Sequence, residues 1–365
     1  MSRMRIAIFL TVAVLILGIT NAVVYQALAT TFGITAAAPM IALGATIAFL
    51  SLSFIAATII GNYYYNVFTR AYYTMSAVWS GVLVYLFLAS TVYGLLTAVF
   101  PTLVATGQWI IGGVILVSVY GVVHARSIAI KRISVTLPNT PEAWKNKRIV
   151  WISDVHLGQL HGIALAKRVV AAINALSPDI IFVGGDLYDG SGARDIPELT
   201  LPLRDLRAPQ GVYFVTGNHE EYGHKDEFVS AVQAAGMRVL DNEMLVLDGL
   251  QLVGVDYQDA ADTGRFTDIL SRLAIDPRKP SILLKHEPRD LDVAEAAGIS
   301  LQISGHTHKA QMWPLVYVAQ RSYKGFAYGL KRLGRMQVYT SSGVGSWGPP
   351  MRVGTDGEIV VITLQ

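Results

Sequence analysis

The chain has 365 residues, 52% of them hydrophobic and only 15% charged, against about 25% charged in an ordinary soluble domain, so part of it is built to lie outside water. The deficit is confined to one end: no Asp or Glu precedes Glu142, and the only Lys or Arg ahead of Lys131 are Arg3, Arg5, Arg70 and Arg126. From Lys131 onward 25 basic residues meet 26 acidic ones, a balance that argues against a nucleic-acid-binding surface. With no cysteine, disulfides, thiolate metal sites and cysteine nucleophiles are excluded, and any metal must be held by His, Asp, Asn or Glu.

Four apolar stretches, residues 6–25, 36–60, 76–100 and 109–130, are each long enough to cross a hydrocarbon core of about 30 Å as a helix. The first lacks a small-residue cleavage site and is followed by three more, so it is expected to be a retained span rather than a signal peptide. Tyr63, Tyr64, Tyr65, Tyr72, Tyr73 and Trp109 fall at predicted span ends, where amphipathic rings settle at headgroup level. Arg3 and Arg5 precede the first span, Arg70 lies between the second and third, and Arg126, Lys131 and Arg132 flank the end of the fourth. The positive-inside rule then predicts a multi-pass protein of the inner (plasma) membrane, with the N-terminus, the middle loop and everything after residue 130 cytoplasmic. No span carries a carboxylate, which disfavours an ion-coupled transporter; His124 is an isolated ionisable group near a span end.

The expected organisation is a four-helix transmembrane region over 1–130, a linker with Pro138 and Pro141 over 131–146, and a soluble domain over 147–365. In that domain short β-branched runs at 148–153, 180–184, 211–216, 250–255, 281–285 and 300–303 alternate with helical spacing at 164–176, 225–235, 266–274 and 291–297, the pattern of a layered α/β domain. Polar residues follow the strands: Asp154 with His156, Asp186, Asn218 with His219, His286, and His306 with His308. Ligands of open α/β sheets gather at the carboxyl ends of strands, so these residues are expected to converge. Carboxylate, amide and imidazole donors suit manganese, iron or zinc, and a carboxylate between two such cations can bridge them. Such a pair offsets phosphoryl charge and acidifies a water to a hydroxide nucleophile near neutral pH.

Each fragment also has a plain reading as a capping Asp, a glycine turn or a helix start. In order, however, Asp154-Val155-His156, Gly185-Asp186-Leu187-Tyr188-Asp189, Gly217-Asn218-His219-Glu220, His286 and Gly305-His306-Thr307-His308 resemble the motif series of the calcineurin-like metallophosphoesterase family, in its membrane-anchored bacterial branch. The resemblance runs from about residue 147 to the C-terminus. It implies two packed mixed β-sheets flanked by helices, and two divalent metals (Mn, Fe or Zn, with Mn favoured). Carried over, Asp154, His156 and His308 would hold one metal, Asn218, His286 and His306 the other, and Asp186 would bridge. His219 would be the catalytic residue beside the phosphate, and Asp189 would orient a ligand histidine.

This chain departs from the branch in placing Lys309 and Ala310, rather than two glycines, before Gln311; a stiffer loop is expected, with the lysine either solvated or reaching a substrate phosphate. His161 and His224 open predicted helices, and only His161 is close enough to the metal loop to meet substrate. Arg352 is read as a phosphate clamp or a structural ion pair. The function expected is metal-dependent hydrolysis of a phosphodiester or phosphomonoester, small or lipid-linked, by a dinuclear-metal-activated hydroxide at the cytoplasmic membrane face. The expected partners are that substrate and the lipid bilayer, with no nucleic acid. The alternative is an inactive membrane sensor that binds a phosphorylated ligand, against which stand the eight intact motif residues.

Overall fold

The computed structural model describes residues 3–190, 195–222 and 224–365. It divides into two units, Met1–Val123 with Gly348–Met351, and His124–Trp347 with Arg352–Gln365.

The first unit holds α1 (Arg3–Thr31), α2 (Ala37–Tyr63), α3 (Val67–Val99) and α4 (Gly107–His124). Their apolar stretches run from 21 to 33 residues, enough at about 1.5 Å per residue to span a bilayer. Large side chains such as Ile16, Ile41, Phe49, Leu95 and Leu116 are exposed, while Ala57, Gly61, Ser76 and Ala77 are buried between helices. Ile47, Leu83 and Leu86 share that interior, but the large apolar surface left outside, with small residues at helix contacts, is the packing of a bundle in lipid and marks a membrane protein. Ser51 Oγ donates to Asn21 Oδ1 at 2.8 Å, joining α2 to α1. α3 begins at Val67 rather than near 76, because Asn66 Oδ1 accepts from the amides of Phe68 and Thr69 while Thr69 Oγ1 accepts from the amide of Asn66. Tyr72 and Tyr73 therefore lie inside a helix, and Tyr73 is buried with its ring 5.5 Å from Phe54.

The second unit is built on two six-stranded sheets. Its strands are β1 (Ile128–Val135), β2 (Arg148–Ile152), β3 (Ile180–Val183), β4 (Val212–Phe214), β5 (Arg238–Val239), β6 (Glu243–Leu247), β7 (Leu250–Gly254), β8 (Ser281–Leu284), β9 (Leu301–Ser304), β10 (Gly329–Leu333), β11 (Met336–Thr340) and β12 (Gly357–Leu364). The orders are β1-β12-β2-β3-β4-β5 and β10-β11-β9-β8-β7-β6. Both are mixed: β2 to β5 run parallel and β12 is antiparallel to β2, while β7, β8, β9 and β11 run parallel between antiparallel edges.

Period-two alternation assigns the faces. Ile149, Trp151, Ile180 and Phe182 meet Leu250, Leu252, Ile282, Leu284, Leu301 and Ile303 in a core between the sheets. The intervening Val150, Ile152, Ile181 and Val183 face a helical layer that includes Ala166, Val169, Val170 and Ile173 of α5 (Ile163–Ala175). Val253 and Leu283 of the other sheet pack against Phe266, Ile269, Leu270 and Ala294. The central strands are buried on both faces, which is why they read as continuous apolar runs.

The stretch expected to be a linker, 131–146, is part of this architecture. β1 pairs in parallel with β12 from Ile128↔Gly357 to Val135↔Leu364, so the fourth span ends at His124 and not at 130. Trp144 is fully buried between the sheets, its Nε1 donating to Leu247 O at 2.8 Å. We expect Trp144→Ala to destabilise the soluble unit by roughly 3–5 kcal/mol, the range for an emptied large aromatic site. Denaturant unfolding monitored on the full-length protein checks this; an unchanged midpoint would return the segment to linker status.

Candidate metal centre

The carboxyl ends of parallel strands deliver the motif residues: Asp154 and His156 after β2, Asp186 after β3, Asn218 after β4, His286 after β8, and His306 with His308 after β9. The chain turns sharply at these points. Asp154, His156, Asp186, His306 and His308 all have φ between 48° and 68°, a left-handed conformation that non-glycine residues rarely adopt and that concentrates at functional sites. Backbone bonds hold it: His306 N–H donates to both oxygens of Asp154 (2.9 and 3.1 Å), and His219 N–H to Asp186 Oδ1 (2.8 Å). Two glycines are set by close approach. A Cβ on Gly217 would fall on the Asp186 carboxylate, and one on Gly305 on the carboxylate of Asp154.

The side chains form adjoining clusters. Asp154, His156 and His308 bring one ligand atom each within 4.8 Å of one another, as do Asp186, His286 and His306. Asn218 Oδ1 stands 3.2 Å from His286 Nε2 and 2.7 Å from His306 Nδ1. Asp186 Oδ2 lies between the clusters, 3.2 Å from His286 Nε2 and 3.9 Å from His156 Nε2. The structure therefore brings together all seven residues expected to bind metal. It also groups His219 with His156 and Asp186 within the same 4.8 Å, so distance alone would admit His219 as a further donor.

These residues fit divalent cations. Asp154 and Asp186 are buried, and among the described residues their ion-pair contacts are all with histidines. His156 Nε2 and His308 Nε2 face each other at 3.0 Å, and His306 Nδ1 faces His286 Nε2 at 3.3 Å, pairings that suit nitrogen lone pairs converging on a cation. His286 Nδ1 lies 2.7 Å from Gly184 O, which puts the proton there and turns the Nε2 lone pair inward. Burial, then His286, pulls His306 down to about 4; burial, then His156, holds His308 well below the usual histidine range. Both rings are thus neutral at pH 7, as ligation requires. Burial opposes charge on His286, but Asp186 and Asp154 outweigh it and push the ring up to about 10: buried carboxylates draw protons where a cation would serve.

Around this centre, Asp189 Oδ1 sits 3.6 Å from His156 Nδ1 and 3.5 Å from His219 Nδ1, so it faces two histidines rather than one. His219 is buried, and burial, then His156, lowers it to about 4. His161 turns to Ser346, its Nε2 3.0 Å from Oγ and from the amide. His224 is exposed ahead of the helix Lys225–Ala234 and makes no side-chain cap. His124 pairs with Asp356 at 2.8 Å on the surface. Lys309 and Ala310 hold φ of 51° and 56°, values a glycine adopts freely, and the Lys309 ammonium lies 4.4 Å from the centre of the Tyr328 ring.

Arg352 corrects the reading of it as a phosphate clamp or ion pair. It is 0% exposed and donates to the carbonyls of Ser342, Gly343, Gly345 and Asp356. It thereby holds the loop whose Val344 and Gly345 amides donate to Ser153 O and Asp154 O. Glu220, the last residue of its motif, had no role assigned from sequence. Its buried carboxylate accepts from Asp186 N and Gly217 N through Oε2 (2.9 and 2.7 Å) and from Leu187 N and Tyr188 N through Oε1 (3.0 and 3.3 Å). One side chain thus ties the loop of Asp186 to the loop of Asn218.

The model of the calcineurin-like phosphoesterase family matches residues 147–310. The chain is 33% identical over 241 residues to a metallophosphoesterase of Campylobacter jejuni, covering 65% of this chain and 63% of that one. It is 34% identical over 269 residues to the transmembrane protein with metallophosphoesterase domain of Bos taurus, covering 68% and 60%. With a metallophosphoesterase of Aquifex aeolicus the identity is 30% over 256 residues, 69% of this chain and 97% of the relative. The chain belongs to the calcineurin-like phosphoesterase family. Its match to the Campylobacter and Bos taurus proteins spans less than two thirds of their length.

Removing the Glu220 carboxylate would leave four buried or nearly buried amides without their acceptor. Glu220→Ala should lower stability by at least about 3 kcal/mol and reduce metal content. Glu220→Gln should fall between, since one amide oxygen replaces two acceptors. Chemical denaturation and metal analysis of the same preparations check both, and a Glu220→Ala protein with wild-type stability would remove the residue's role.

Proposed function

We propose that the protein is a metallophosphoesterase that hydrolyses a phosphomonoester or phosphodiester, including lipid-linked esters, at the cytoplasmic face of the inner membrane. The observation that carries this reading is the convergence of seven oxygen and nitrogen donors from five strand ends into two adjoining clusters, with His219 beside them. Asp154, His156 and His308 would hold one cation and Asn218, His286 and His306 a second, with Asp186 bridging from its place between the clusters. Two divalent cations, with manganese favoured over iron or zinc, would supply Lewis acidity toward phosphoryl oxygens and a lowered pKa for water.

The chain's own work is positioning and proton handling. Asp189, 3.5 Å from His219 Nδ1, works against the burial that lowers this ring and favours its doubly protonated form, whose Nε2–H could donate to the phosphate or the departing oxygen. Gly184 O fixes the tautomer of His286, and the loop clamped by Glu220 keeps Asp186 and Asn218 in register. The four spans and the relative named as a transmembrane protein support membrane attachment. The bias of Lys and Arg toward one set of loops supports a cytoplasmic catalytic unit.

Hydrolysis of a chromogenic phosphodiester by the full-length protein should require added manganese and vanish with chelator; chelator-resistant turnover would overturn the reading. In the same assay His219→Ala should keep two metals per chain while kcat falls by about 10²–10⁴. The drop should be smaller for a nitrophenolate than for a poorer leaving group. Loss of a metal equivalent would make His219 a ligand, as its distance to His156 and Asp186 would allow.

Orientation has its own check. A reporter fused after Gln365 should read cytoplasmic, and periplasmic activity of that fusion would reverse the topology.

A further inference from the structure

Besides the carboxylates of Asp189, at His156 and His219, and of Glu287, 3.5 Å from His306 Nε2, four aromatic rings lie against the metal-centre histidines. The Tyr222 ring lies 5.4 Å from that of His219, and the Trp347 ring 5.7 Å from it at an interplanar angle of 74°. Tyr257 meets His286 at 5.9 Å and Tyr323 meets His306 at 6.2 Å. Two of these rings are unusually open: Tyr222 is 65% and Trp347 55% exposed.

The Trp347 backbone is held in place. Gln311, itself buried, accepts from the Trp347 amide at 2.8 Å and donates to its carbonyl at 2.9 Å, while the preceding Ser346 is bound by His161. A fixed backbone that presents an open indole beside a buried histidine is a rigid apolar contact surface of low conformational cost. Among the described residues, the guanidinium that lies over one of these four rings is Arg289, above Tyr323, and it is already paired with Glu287 at 2.6 Å. The Tyr222 and Trp347 side, over whose rings none of the described cations lies, therefore favours an apolar or planar group, whereas the Tyr323 side carries the Arg289–Glu287 pair.

We infer that Tyr222 and Trp347 form the subsite for the organic group of the ester, so that the protein selects phosphoesters of a bulky, apolar alcohol over small or highly charged ones. The inference rests on the phosphoesterase reading and on His219 as the residue nearest the leaving oxygen. The group that departs from phosphorus then emerges against the two rings that share His219. Tyr257 and Tyr323 stand at the histidines of the second cluster, and the Tyr323 hydroxyl is committed to Glu287 at 2.9 Å.

The test uses the full-length protein and two diesters with leaving groups of similar acidity, methyl phenyl phosphate and methyl 2-naphthyl phosphate. Burial of the second ring should favour the naphthyl ester by about tenfold in kcat/KM, mainly through KM. Trp347→Ala should bring that ratio close to one and Tyr222→Ala should lower it several-fold, while Trp347→Phe should keep most of it. Trp313→Ala, which removes another exposed indole, should leave the ratio intact. A ratio near one in the wild type, or one that survives both alanine variants, overturns the inference while the hydrolase reading stands. Calorimetric titration with 2-naphthylphosphonate and methylphosphonate separates the two claims. If neither ester is turned over, tighter naphthylphosphonate binding that depends on Trp347 keeps the subsite and rejects the hydrolase reading, and equal binding rejects both.

Discussion

Two carboxylates placed in the interior without a lysine or arginine partner among the described residues govern the rest of this structure. Asp154 and Asp186 are buried at the ends of neighbouring parallel strands, and their described ion-pair contacts are imidazoles. Buried charge is tolerated when it is paired and hydrogen-bonded. The amides of His306 and His219 supply part of that compensation, and the converging histidines are arranged so that cations can supply the remainder. The opposed shifts of the histidines follow from the same imbalance, with His286 pushed up by Asp186 while burial pulls His306 and His308 down.

Holding those donors in place costs backbone strain. Five of the seven expected ligands sit at positive φ, and a local sequence would not maintain that conformation unaided. Two buried side chains enforce it from outside the metal-binding set. Glu220 gathers amides from the Asp186 and Asn218 loops, and Arg352 gathers carbonyls from the loop that packs beneath Asp154. One is an anion collecting N–H groups and the other a cation collecting C=O groups, and each satisfies backbone that a tight turn would otherwise leave unpaired.

The soluble unit also draws on sequence that looks like a connection. β1 begins four residues after the end of α4 and pairs along its length with the C-terminal strand. The first apolar residues of β1 follow the span so closely that in the sequence they continue its hydrophobic run. Only their pairing with β12 distinguishes a strand from the end of a helix.

The sequence alone carried the four apolar spans, the alternation of strands and helices, and the seven polar residues that the fold brings together with His219. Each is written locally, in hydrophobic runs, in period-two patterns and in polar residues placed just past an apolar strand. The early start of α3 rests on the Asn66 cap, which shifts a boundary that hydropathy places later. The edge strands β5, β6 and β10 are short or carry charged residues on partly exposed faces, so they lack the apolar run that marks the central strands. The tertiary structure alone decided what Glu220 and Arg352 do. A glutamate after a histidine and an arginine after a Pro-Pro-Met run look like surface residues, because their partners are backbone amides and carbonyls with no sequence signature. Those partners lie 3 to 34 residues away for Glu220 and 4 to 10 for Arg352, and they become acceptors and donors of one side chain only when the loops have folded onto each other.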